Sequence, residues 1–171
     1  MDEEQQQTPI ARLRAALAGL NDAPEAEARA GHHDLAEGLW LSTDPAGRAI
    51  LRLQGRGAAG GFSLVLEGGD SGAWAALGLR LAGGVPEGAR YLGLMVEAAS
   101  PTTATLTPRL RTPAGDRPAT EALVLMPAPR TRLIWFPLEA ENTGADLEIN
   151  LFFSDDAAEV QILRIDPVVM I

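Results

Sequence analysis

From Leu35 to the C-terminus, apolar and polar positions alternate with a period of two. Candidate strands are LWLS at 39–42, AILRL at 49–53, FSLVLE at 62–67, WAALGLRL at 74–81 and RYLGLMVEA at 90–98. They continue with TATLTPRLR at 103–111, EALVLM at 121–126, RLIWFPL at 132–138, LEINLFF at 147–153 and VQILRI at 160–165. Turn signals separate them: TDPAG, GGDSG, AGGVPEG, TPAGD, AENTGAD and SDDAAE. About ten strands without intervening long helices predict an all-β fold, an antiparallel sandwich or barrel. A parallel sheet would need crossover helices that this pattern lacks.

Before Leu35 the period changes. Ile10, Leu13, Leu17 and Leu20 recur at helical spacing, Thr8 can cap the start, and Pro9 suits the first helical position. This predicts one amphipathic N-terminal helix of about 11 residues, marginal alone in water, so its stripe must pack on something. Residues 21–34 read as a linker, which divides the chain into helix and linker (1–34) and a sandwich domain (35–171). The stripe packs on its own domain or on a second copy of the chain. In the second case it would make a homo-oligomer.

The runs at 74–81 and 90–98 each carry a central glycine, Gly78 and Gly93. Read as an antiparallel hairpin, they place Ala75, Leu77, Leu79, Leu92, Leu94 and Val96 on one face. A one-residue slip would turn the leucines outward. The other face then sets Gly78 beside Gly93, flanked by Trp74, Arg80, Tyr91 and Glu97. A glycine inside a strand often marks the close approach of a ligand or another backbone. A bare floor ringed by aromatics and hydrogen-bonding charges suits a sugar, which offers C–H surface to the rings and hydroxyls to the charges. The competing reading is packing: the N-terminal helix, a facing side chain or Trp74 itself fills the gap.

The phrases WAALGLRL, RYLGLMVEA, LEINLFF and the closing EVQILRIDPV resemble the jelly-roll sandwiches of the carbohydrate-binding-module-like and galactose-binding-like kind, over residues 35–171. The resemblance implies a non-catalytic, lectin-like module that recognises a saccharide on a concave sheet face, and in some members a structural calcium. Aromatics are only 5% of this chain, thin for a module that grips glycans by stacking. The alternative function is a protein–protein interaction or assembly module using the same face and the helix.

Composition narrows the partners. The net charge is −9, which argues against nucleic acid and anionic membranes, since phosphate contacts need a basic patch. There is no Cys, which excludes disulfides, thiolate metal sites and cysteine nucleophiles. The opening MDEEQQQ has neither a basic nor an apolar segment of a secretion signal, and no run of about 18 apolar residues exists; both point to a cytoplasmic address. His32-His33 reads as a surface or linker pair, poor as joint ligands for one metal. Asp155, Asp156 and Glu159 could offer oxygens to calcium, but an acidic turn is more simply solvated. No GxSxG elbow supports a serine triad, and GRGAAGG at 55–61 lacks the Lys-Ser/Thr ending of a phosphate loop. Glu97 and Glu148 are the carboxylates a glycosidase would have to pair across a cleft, a minor reading. Two further sets share a face: Glu148, Asn150, Phe152 and Ser154 on one strand, and Arg109 with Arg111 on another.

Overall fold

The structure is a computed structural model that describes residues 8–69 and 73–171. MDEEQQQ and part of the GGDSG turn lie outside the described residues. The chain order is α1 (Pro9–Gly19), β1 (Ala26–Arg29), β2 (His32–Ala36), β3 (Leu39–Thr43), β4 (Ile50–Gly55), β5 (Phe62–Glu67), β6 (Ala75–Leu81) and β7 (Tyr91–Ala99). It continues with β8 (Ala104–Thr112), β9 (Gly115–Pro118), β10 (Leu123–Leu125), β11 (Arg130–Pro137), β12 (Leu147–Phe153) and β13 (Ala158–Met170). All pairings between these strands are antiparallel.

Two sheets face each other. Sheet A runs β1-β4-β5-β13-β7-β11, and sheet B runs β10-β8-β12-β6-β3-β2 with β9 paired to β8. The period-two leucines meet between them: Leu41, Leu77, Leu79, Leu110 and Leu151 from sheet B against Leu53, Leu64, Leu94, Phe136 and Ile162 from sheet A, all buried. The predicted strands are present to within a few residues. Residues 21–34 are not a plain linker. They hold β1 and the start of β2, edge strands of the two sheets, so the division at 34/35 falls inside β2. β9 is a further short strand, which begins inside the TPAGD turn signal.

The hairpin of β6 with β7 does not form. β6 pairs with β12 and β3 in sheet B, and β7 pairs with β11 and β13 in sheet A. The inward residues are the expected ones, but they face each other across the core. The connection from residue 82 to residue 90 is long enough to cross the ~10 Å between packed sheets.

The helix starts as written. The Ala11 N–H donates to Thr8 Oγ1 at 3.3 Å, and Pro9 opens the first turn. Leu13 and Leu17 are each 4% exposed, packed into the common core. α1 contacts β6 of one sheet and β13 of the other, and Arg14 Nε donates to Asp166 Oδ1 at 2.6 Å. Its stripe is therefore covered by its own chain rather than offered to a second copy. Among the described residues no helix is long and apolar enough to cross a membrane.

An ion-pair chain ties the β1 edge to sheet A. Glu27 accepts from Arg29 and from Arg52 Nε at 2.7 Å, and Arg52 reaches Glu67 at 2.7 Å. The hydrogen bond from Arg29, then that from Arg52, holds the Glu27 carboxyl below its ordinary 4.5. A depressed carboxylate stabilises the fold above its unfolded-state value and loses that contribution as pH falls through the folded one. The stability gap between wild type and Glu27→Gln should thus be constant near neutrality and close as pH falls below about 4.5, read by urea midpoints across pH. Glu27 and Arg52 are half-buried and Arg29 is exposed at the sheet edge, where solvent screens the pairs, so the gap is small.

Candidate functional site

The outer face of sheet B has a register that lays its side chains in rows. One row is Asp34, Trp40, Gly78, Asn150 and Arg109; the next is Arg80, Glu148 and Arg111. On the other side lies His32, Ser42, Ala76, Phe152 and Thr107. These residues alternate with the core leucines, so the same pattern that fills the sandwich aims them outward. Apart from Gly78, Ala76, Thr107 and Arg109, they line, together with Trp74, a groove of about 670 Å³, inside the usual range for small-ligand sites.

Gly78 and Ala76 leave the middle of β6 without bulk, and Trp40 takes the space. A Cβ added at Gly78 would fall inside the Trp40 indole. Cross-strand aromatic–glycine pairing of this kind pins register while covering bare backbone. His32 stacks on the indole at 5.6 Å between centroids and 30° between planes, and the Arg80 guanidinium carbon lies 5.8 Å from its centroid. His32 Nε2 also meets Asp34 Oδ1 at 2.7 Å. Held this way, Trp40 is only 9% exposed. Trp74 is 39% exposed and stands edge-on to Phe152 at 6.3 Å, forming an aromatic wall at one end of the groove.

The other end is polar. Arg80 donates from Nε and a terminal nitrogen to Glu148 Oε1, at 3.2 and 2.6 Å. Those hydrogen bonds raise the Arg80 guanidinium above its ordinary value. Arg111 stands 3.9 Å from the other Glu148 oxygen and donates to Asp116 Oδ1 at 3.1 Å. The groove thus joins an exposed indole, a locked guanidinium–carboxylate pair and the Asn150 amide, a set that supplies stacking surface, donors and acceptors.

The six residues expected at one site divide between two. Trp74, Gly78 and Arg80 lie on the outer face of sheet B and line or floor the groove. Tyr91, Gly93 and Glu97 lie on the outer face of sheet A, on the far side of the molecule. Gly93 seats Trp135 as Gly78 seats Trp40: a Cβ there would come within 2.7 Å of the ring, and Tyr91 packs edge-on to it at 6.2 Å. The nearest atoms over both glycines belong to these side chains, not to α1. Because Glu97 and Glu148 point from opposite sheets, they cannot flank one glycosidic bond. His32 was read as linker but stands at the groove rim. Trp40, Asp34 and Ser42 were missed, although the parity of LWLS, with Leu39 and Leu41 inward, already turns Trp40 outward. Asp155 accepts from the Thr105 N–H at 2.8 Å, and among the described residues no three His, Asp or Glu converge as metal ligands.

No family model matches the sequence, and no curated protein matches it. Solved structures do. A family 11 carbohydrate-binding module from Clostridium thermocellum, in complex with a beta-1,3-1,4-mixed-linked tetrasaccharide, superposes with a TM-score of 0.52 at 11% identity, over 86% of this chain and 96% of that one. The chain has the β-sandwich fold of the carbohydrate-binding modules. A xylanase from Cellvibrio japonicus in complex with xylopentaose matches with a TM-score of 0.51 at 12% identity, over 82% of this chain. The enzymatically active domain of a bacteriophage CBA120 tailspike matches 96% of this chain with a TM-score of 0.45 at 14% identity. This module-like chain spans only 28% of the xylanase and 22% of the tailspike domain.

Proposed function

We propose that the chain is a non-catalytic module that binds a saccharide in the groove of sheet B. The observation that carries this reading is the pairing of an exposed Trp74 with the Arg80–Glu148 hydrogen-bonding pair along one sheet face. The ring covers the C–H face of a sugar, while guanidinium, carboxylate and the Asn150 amide satisfy its hydroxyls. Support also comes from the fold, whose solved relatives include a module holding a tetrasaccharide. Within the groove, Glu148 is tied to Arg80 and Asp34 to His32, so neither carboxylate stands free, which favours binding over hydrolysis.

A glycan array followed by calorimetry tests this. Trp74→Ala should weaken the best hit by about tenfold or more, roughly 1.4 kcal/mol, with the melting temperature unchanged because the ring is exposed. An equal loss of melting temperature would make Trp74 a packing residue instead.

The assembly reading keeps one specific support. Tyr91, Leu133 and Met170 are exposed together on the outer face of sheet A. Sedimentation mass of wild type against Leu133→Asp tests it; an unchanged monomer mass in both removes it.

A further inference from the structure

Resting on the saccharide reading, the inference concerns which class of sugar the groove selects. At the polar end of the groove, three arginines occupy neighbouring positions of β6 and β8 around one carboxylate on β12: Arg80 and Arg111 line the groove, and Arg109 stands beside it on β8. Arg80 and Arg111 flank Glu148 in one row, and Arg109 faces the neutral Asn150 in the next. Arg80 is committed, with two nitrogens on Glu148. Arg111 gives Nε to Asp116, but its terminal nitrogen stands 3.9 Å from Glu148, beyond hydrogen-bond reach. Arg109 is exposed and makes no ion pair among the described residues. The two lie on one face of β8, about 6.8 Å apart along the strand. The groove therefore runs from an aromatic end at Trp74 to an end with unused guanidinium donors, in a chain whose net charge is −9. Acidic groups nearby are engaged: Asp34 with His32, Asp116 with Arg111, and Asp146 with the Gly83 N–H.

We infer that the groove selects an acidic saccharide, one whose sugar carboxylate meets Arg109 and Arg111 while a neighbouring ring lies against Trp74. A planar carboxylate matches the guanidinium fork through two parallel hydrogen bonds, which a hydroxyl cannot do.

The test compares uronic-acid oligosaccharides with their carboxyl-reduced, neutral counterparts and with a sulfated oligosaccharide, by calorimetry at low and physiological salt. The expected result is binding of the uronate at least about tenfold tighter than its reduced form, weakened by added salt. Arg109→Gln and Arg111→Gln should each remove about fivefold or more of that preference, without lowering the melting temperature. Equal binding of the reduced form overturns the acidic preference and leaves the saccharide reading standing. Tighter binding of the sulfated sugar overturns the carboxylate assignment. Binding of none of these, with a blank glycan array, overturns both readings.

Discussion

Gly78→Ala destabilises the protein by about 1–3 kcal/mol and removes ligand binding with it. Ordinarily, a strand-interior glycine replaced by alanine gains, because alanine restricts the unfolded chain. Here the new methyl would collide with the Trp40 ring, coming within 2.0 Å of it. His32 lies on its face and Arg80 beside it, so the cost is that of overpacking. The indole would have to swing into the groove. A double-mutant cycle isolates this cause. In a Trp40→Ala background the same Gly78→Ala change should cost almost nothing, or stabilise. If Gly78→Ala costs as much without the indole, the glycine serves the backbone and not the ring. Gly93→Ala should be milder, since a methyl there comes no closer than 2.7 Å to Trp135, on the edge strand β11, and 2.9 Å to a terminal methyl of Val168.

Leu17→Ala costs about 2–5 kcal/mol, and the sedimentation mass does not change. Leu17 is a helix residue buried where α1 bridges the two sheets, and truncation leaves a cavity that a rigid sandwich cannot close. The paired readings separate two roles for the helix. A loss of stability at constant mass makes it part of the domain core. A change of mass with little loss of stability would return it to an intermolecular role. Urea denaturation supplies the first reading and sedimentation equilibrium the second.

The strands were legible because period-two alternation states directly which side of each strand faces inward. It does not state which strand lies alongside. Leu77 and Leu94 were both assigned inward correctly, yet they belong to opposite sheets. Parity is a property of one strand, whereas pairing is a property of the whole fold. The site suffered from the same gap. Gly78 and Arg80 share a face because they share β6, and Trp74, the residue just before it, keeps the same parity. Tyr91, Gly93 and Glu97 also share a face, but a different one. The set Glu148, Asn150 and Phe152 was read as one outward face from its own alternation, as was Arg109 with Arg111. Register between β12, β6 and β8, invisible in the sequence, turned those separate faces into one groove. His32 reads from the sequence as part of a linker pair because an edge strand of five residues carries too little alternation to place it on the groove.

The order of strands also governs when the site comes into being. In sheet B, β12 sits between β6 and β8; in sheet A, β13 sits between β5 and β7. Each sheet is thus two fragments until a strand from late in the chain slides between them. Contacts of such long sequence separation fold slowly, since loop closure precedes any gain from pairing. Glu148, Asn150 and Phe152 arrive on β12 itself, so no earlier intermediate during synthesis contains a groove. Ligand affinity would consequently serve as a clock for folding: it should appear in a refolding experiment only with the final kinetic phase, after most strand signal has returned.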